Sequence, residues 1–162
     1  MNPANQTEVF IKMVLSNWEL QNERLNQMLA SVSDEQLLKE TAPGRNTGIY
    51  LLGHLTAVSD GILPLLGLGD KLYPQLQDIF LTSADKSGHE FPSVTELKNC
   101  WNQVNATLAD KFASMQTNHW FGRHMSVSEE DFAKEPHRNK LNVIINRTNH
   151  QSYHLGQLIY LK

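Results

Sequence analysis

The chain has 162 residues, the length of one domain, and can bury about 70% of the surface that its unfolded form exposes. Its 14 basic and 17 acidic side chains give a formal net charge of −3, which argues against the positive field of a nucleic-acid-binding groove. Hydrophobic residues make up 40% of the chain, too many for a disordered protein. We therefore expect one globular domain over residues 1–162.

The cysteine content and the first residues bear on the cellular compartment. Cys100 is the only cysteine and cannot form an internal disulfide. The first residues lack the basic flank and the apolar run of a secretory signal. No stretch approaches the roughly 20 uninterrupted apolar residues that a membrane span needs. We expect a cytoplasmic protein with neither a membrane nor a nucleic acid as its partner.

The N-terminal part of the chain has the pattern of a long helix. Apolar residues recur at steps of three, four and seven over residues 7–32, the period of a helix with one buried stripe. We predict a first helix over this range. Ser33 and Gln36 then have the spacing of a capping box, which predicts a short helical turn that ends at the Pro-Gly pair 43–44.

A second helix is predicted to begin at Asn46 or Thr47, either of which can cap it, and to run through Leu65. A proline and two glycines bring it to an end. Residues 66–92 contain several more glycines and prolines, and we predict a long loop with one short helix around residues 75–81. Long loops on compact helical proteins often carry function.

The remaining sequence contains two more helices. Ser93 and Glu96 form a second capping box, which predicts a third helix ending at about Gln116. A polar, irregular connection is predicted to follow, and the last helix is predicted over residues 138–162. No segment alternates as a strand does, so we expect an all-α four-helix bundle. Because the connection between helices 2 and 3 is the long one, we expect an up-down-down-up order.

Two of the seven histidines, His150 and His154, stand four residues apart in the predicted last helix. This spacing places their side chains on one face, with Cβ atoms about 5–6 Å apart, so they can share one cation. At about 100° per residue, Arg147 and Gln157 lie on the same side of this helix as the two histidines. An apolar strip lies beside these residues, so the histidines border the core.

His54 lies on an otherwise largely apolar face of the predicted second helix. A buried imidazole without a partner costs about 1–3 kcal/mol, so His54 needs a partner, and a cation shared with the histidine pair would supply it. Three neutral nitrogens at about 2.0–2.1 Å would hold Zn²⁺ or a similar ion and leave at least one position open. Two plainer interpretations stay open: a surface histidine pair without a metal, and a core histidine bonded to a carbonyl or hydroxyl group.

The sequence around these histidines resembles a known family. The segment NHQSYHLGQL at residues 149–158 is similar to the last-helix signature of the DinB-like metal-binding bundles, in which His-x-x-x-His is followed by Gly-Gln. The segment IYLLGHL at residues 49–55 is similar to their second-helix histidine segment. The resemblance implies an up-down-down-up four-helix bundle, commonly dimeric, with a divalent ion held by His54, His150 and His154. Zn²⁺ or Ni²⁺ is the expected ion, and Cu²⁺ also suits imidazole.

The resemblance also implies an activity. Members of the superfamily include transferases and isomerases that use low-molecular-weight thiols, so our leading hypothesis is such an enzyme, in which the metal binds the thiol sulfur. Arg147 or residues of the 66–92 loop would orient an anionic group of a small-molecule substrate or cofactor. Gln157 matches the family motif, and it would interact with a metal ligand without contacting the ion itself. We expect a homodimer.

Two alternatives remain open at this point. A hydrolase would use metal-activated hydroxide, but neither histidine strip carries a Glu or Asp placed to act as its general base. A non-enzymatic metal-binding module of the stress response would use the ion only to stabilise the bundle. A side chain that filled the open position of the ion would favour this second alternative. The sequence identifies no catalytic residue.

The other four histidines fall in predicted connections, where exposure to solvent is expected; they are His89, His119, His124 and His137. His119 and His124 would line a pocket entrance only if their loop folded over the metal. Cys100 has no basic neighbour that would lower its pKa, so we predict a small buried hydrophobic residue there.

Overall fold

The first predicted helix forms, but it begins earlier than its apolar pattern indicates. In the computed structural model, which describes residues 2–162, helix α1 spans Pro3–Ala30. The Asn2 side chain caps it by accepting a hydrogen bond from the amide of Ala4, and Pro3 occupies the first turn, where its missing N–H is not needed. The predicted start at residue 7 was wrong because this cap precedes the apolar stripe.

The predicted capping box after α1 is confirmed. The amide of Gln36 donates to the Ser33 hydroxyl, and the amide of Ser33 donates to the Gln36 side chain, opening helix α2 at Asp34–Leu37. The side-chain NH₂ group of Gln36 also donates a hydrogen bond to the backbone carbonyl of Leu161, at 2.7 Å. This bond ties the C-terminal end of the chain to the connection that follows α1.

The predicted second helix is divided in two. Thr47 caps helix α3, Gly48–Asp60, and helix α4 follows at Ile62–Leu66. The single predicted helix was wrong because Pro64 has no N–H to donate to the carbonyl of Asp60, so the helical ladder is interrupted there. The stretch Gly48–Leu66 has the length and hydropathy of a membrane span, but 72% of it is buried against the rest of the protein.

The loop after α4 is fastened to α3. The Asp60 carboxylate accepts hydrogen bonds from the amides of residues 72 and 73, and the Tyr50 hydroxyl donates to the carbonyl of Ser83 at 2.7 Å. Between these anchors the chain forms a π-helical turn, Asp78–Thr82, close to the predicted short helix at residues 75–81. Such turns are rare and frequently lie at functional sites.

The third predicted helix is confirmed as helix α5, Val94–Ser114, with its capping box at Ser93 and Glu96. The connection that follows is more regular than predicted. It contains a 3₁₀ turn at Thr117–Phe121 and helix α6, Glu129–Lys134. The Ser128 hydroxyl accepts from the amide of Asp131 and so caps α6.

The last long helix, α7, spans Lys140–Leu158, and a 3₁₀ turn, Ile159–Leu161, follows it. Asn139 caps α7, so the helix begins two residues after the predicted start at residue 138. Helix α7 packs on α1 and α3, and α3 also packs on α5. Residues 2–162 form no strand beyond two isolated bridges, so the expected all-helical class is confirmed.

Candidate metal centre

The three predicted ligands meet between α3 and α7. Nε2 of His54 lies 3.2 Å from Nε2 of His150, and Nε2 of His154 lies 3.1 Å from the same atom. One ligand nitrogen from each of the three rings lies within 4.8 Å of the other two. The structure therefore brings together a histidine 96 residues distant in the sequence with the i,i+4 pair on the last helix.

The distances between these nitrogens suit a bound cation. Two imidazole nitrogens at about 2.0–2.1 Å from one ion, in tetrahedral geometry, lie about 3.3 Å apart. The observed separations of 3.1 and 3.2 Å are close to this value. Nitrogen lone pairs that face one another at such distances repel unless a proton or a cation lies between them, so the donor set fits a divalent metal ion.

Hydrogen bonds on the far side of two rings set their tautomers. Nδ1 of His54 lies 2.9 Å from the carbonyl oxygen of Phe80, and Nδ1 of His154 lies 2.7 Å from Oε1 of Gln157. Because both oxygens can only accept, each Nδ1 carries the proton and each Nε2 presents a lone pair to the centre. Histidine ligands of metals are usually oriented by such a bond.

The carbonyl that orients His54 comes from the π-helical turn. Phe80 is fully buried, and its ring lies directly against the backbone of Gly53. A Cβ atom at Gly53 would lie within 3.0 Å of that ring, so only glycine lets Phe80 approach α3 this closely. The role of neither residue at this site was predicted from the sequence. The available signal was a glycine in a helix interior, where it is otherwise unfavourable, immediately before His54.

Burial favours the neutral form of two of the three histidines, His150 and His154. Burial, together with the neighbouring His154 and His54, lowers the pKa of His150 to about 4. Burial also lowers the pKa of His154, although its hydrogen bond with Gln157 acts in the opposite direction. Neutral imidazole is the form that binds a metal. Because no carboxylate joins the three histidines among the described residues, an ion held there would keep its full charge.

The two other predicted site residues lie on the same helix as the histidine pair. Gln157 is the hydrogen-bond acceptor for His154, and its amide group donates to the Tyr153 hydroxyl at 3.3 Å. Arg147 is half-buried, one turn before His150, and burial lowers the pKa of its guanidinium. Within residues 2–162 Arg147 makes no salt bridge. Arg147 is thus a cation close to the histidine cluster, and it has no anionic partner among the described residues.

The remaining histidines lie apart from the cluster. His119 and His137 are exposed, His124 is half-buried, and His89 pairs with the Ser83 hydroxyl at 2.9 Å. Cys100 is half-buried against the core, and burial raises the pKa of its thiol, as is typical of an unreactive cysteine. None of them joins the group of three histidines that could hold a metal ion among the described residues.

Comparison with known proteins places the chain in a family. The solved structure of a conserved protein from Enterococcus faecalis resembles it with a TM-score of 0.65 over 93% of both chains, at 13% sequence identity. An identity this low shows a shared fold alone. No curated protein matches the chain significantly. A family model described as the DinB superfamily matches residues 17–158, which include all three histidines. The chain therefore belongs to the DinB superfamily.

Proposed function

We propose that the protein binds one divalent metal ion through His54, His150 and His154. The observation that carries this proposal is the convergence of three Nε2 atoms, two of them with tautomers set for binding by acceptors on the far side of the ring. Neutral nitrogen donors suit Zn²⁺ and Ni²⁺, with Cu²⁺ as a third choice. Three protein ligands leave at least one position for another molecule, which is the arrangement of catalytic sites.

We further propose that this molecule is a low-molecular-weight thiol and that the protein is a metal-dependent transferase or isomerase. A bound divalent ion supplies a Lewis acid that stabilises a thiol as its thiolate. Arg147, half-buried and without an anionic partner among the described residues, would hold an anionic group of the thiol or of the substrate. A hydrolase is the weaker alternative, because among residues 2–162 no carboxylate joins the three histidines to act as its general base.

The thiol proposal can be tested with two probes that differ in one charge, 3-mercaptopropionate and 3-mercapto-1-propanol. Added to Co²⁺-loaded protein, both should produce a sulfur-to-cobalt charge-transfer band. The carboxylate probe should bind about tenfold more tightly, because it gains a charged hydrogen bond to Arg147. In the variant Arg147→Met this preference should vanish while metal affinity stays unchanged. A spectrum that no thiol alters would reject the thiol and leave metal binding, as in a non-enzymatic module.

We infer that the four long helices form a bundle in up-down-down-up order. Asn26 and Trp18 of α1 contact Trp101 and Phe112 of α5 respectively, so the residue order reverses between these two helices. The first residue of α3, Gly48, lies against Leu161 after the end of α7. These contacts support opposite directions for α1 and α5 and for α3 and α7.

We also propose a homodimer, with a second copy of the chain covering α1. Four large apolar side chains on this helix are exposed, and three of them stand at spacings of three and seven residues; these three are Phe10, Met13 and Leu20, with exposed fractions of 47%, 64% and 44%. A two-fold contact would let this stripe pack against its own copy. Sedimentation equilibrium should give twice the monomer mass for the wild type and the monomer mass for Met13→Glu. A monomeric wild type would reject the dimer.

A further inference from the structure

A layer of polar side chains crosses the protein core. The buried apolar residues form two clusters, one containing Leu25 and Trp101 and the other containing Trp18 and Leu108. Polar residues on the long helices lie close to the boundary between these clusters; they are Asn22 on α1, Thr56 and Ser59 on α3, Asn105 on α5, and Thr148 and Gln151 on α7. The core is therefore interrupted at one level by groups that need hydrogen-bond partners.

Contacts between α1 and α5 place two of these residues at the same height. Nε1 of Trp101 donates to Oδ1 of Asn26 at 2.8 Å, and the rings of Trp18 and Phe112 lie 5.0 Å apart. Asn22 is one helical turn from both Asn26 and Trp18. Asn105 follows Trp101 by one turn. The two asparagines thus occupy facing positions between the same pair of interhelical contacts.

All of the unpartnered buried side-chain atoms in residues 2–162 belong to this level. They are Oδ1 of Asn22, Oδ1 of Asn105, Nε2 of Gln151 and Nδ1 of His150. His150 directly precedes Gln151 on α7, so the layer ends at one of the three proposed metal ligands. The hydroxyls of Thr56 and Thr148, by contrast, are bonded to backbone carbonyls of their own helices.

The four atoms form a complementary set. The two asparagine oxygens accept hydrogen bonds, and the Gln151 amide donates. If Nε2 of His150 faces a metal ion, its Nδ1 carries the proton and is the second donor. Two acceptors and two donors are the partners that one water molecule satisfies, because water donates twice and accepts twice. Buried waters in proteins typically make two to four such bonds.

We propose that this layer is an internal hydration site whose ordered water accepts a hydrogen bond from Nδ1 of His150 and donates to Asn22 and Asn105. The water gives His150 the kind of outer partner that His54 has in the Phe80 carbonyl and His154 has in Gln157. Asn22 and Asn105 are thereby positioning residues for the metal centre, although neither contacts the metal. The inference rests on the proposed metal binding.

Near-isosteric substitutions separate this role from ordinary packing. In Asn105→Leu the water loses an acceptor that orients it toward His150, and Zn²⁺ affinity, measured by chelator competition, should fall about 10- to 100-fold. Thr148→Val alters an equally buried position of α7, but its hydroxyl bonds to the carbonyl of Ile144 and not to the proposed water, so this variant should bind Zn²⁺ as the wild type does. Asn102→Leu, at an exposed position of α5, serves as the surface control.

A purely structural layer gives a different pattern. Asn105→Leu and Thr148→Val would then change stability while both retained wild-type Zn²⁺ affinity, and this outcome would overturn the inference while leaving the proposed function intact. If Asn105→Leu does not fold, Asn22→Leu carries the same expectation. A high-resolution crystal structure in which the four side chains bond directly to one another, without water, would also overturn it. A wild type that binds no Zn²⁺ would reject the proposed function and this inference together.

Discussion

Replacing His150 with alanine is expected to weaken Zn²⁺ and Ni²⁺ binding by more than a hundredfold. Its Nε2 is the atom that lies within 3.2 Å of both other ligand nitrogens, so its loss leaves two imidazoles without their common neighbour. Loss of an outer hydrogen-bond partner alone typically costs 10- to 100-fold in affinity, and loss of a ligand should cost more. Competition with a chelator of known affinity measures the effect directly.

Thermal unfolding supplies the control for this prediction. An ion at 100 times its dissociation constant stabilises the folded state by about 2.7 kcal/mol, or roughly 5–10 °C in Tm for a chain of this length. The wild type and His137→Ala, a change at an exposed histidine, should both show this shift, and His150→Ala should not. Equal shifts in all three proteins would show that the ion binds elsewhere.

Substituting Gly53 with alanine is expected to damage both the fold and the metal centre. The new methyl group would lie within 3.0 Å of the ring of Phe80, which is fully buried. Overpacking of this kind costs about 1–3 kcal/mol. Because movement of Phe80 also displaces the carbonyl that orients His54, metal affinity should fall about 10- to 100-fold.

Gly156→Ala is the matched control, since Gly156 is also helical, lies two residues after His154, and has no atom within 4 Å of the added Cβ. This variant should keep its metal affinity and gain roughly 0.5–1 kcal/mol in the free energy of unfolding. The double variant Gly53→Ala with Phe80→Leu should recover part of the lost stability, because the smaller side chain relieves the clash. Urea denaturation and chelator competition provide both readouts. If Gly53→Ala behaved as Gly156→Ala does, the proposed role of Phe80 would be wrong.

The long helices could be predicted because their signals are local. The capping boxes at Ser33 and Ser93 lie at the observed helix starts, and the apolar stripes that follow turn toward the core. Errors arose where a local signal was weak or was interrupted. The Asn2 cap precedes the apolar stripe of α1, and Pro64 divides the second helix by removing one backbone donor.

The histidine cluster could be predicted in part for the same reason. The i,i+4 spacing of His150 and His154, and the three-residue step from His154 to Gln157, are fixed by helix geometry. The partner of His54 is a backbone carbonyl 26 residues away, which no side-chain pattern reveals. The polar layer was missed because single asparagines within an apolar stripe acquire significance only when several helices bring them to one level.

X-ray absorption at the zinc edge tests the metal centre most directly. Wild-type protein loaded with one equivalent of Zn²⁺ should show three imidazole nitrogens at about 2.0–2.1 Å, and His150→Ala should show fewer. A spectrum of hydrated zinc, or of an ion coordinated without imidazole, would contradict the proposal that His54, His150 and His154 hold the ion.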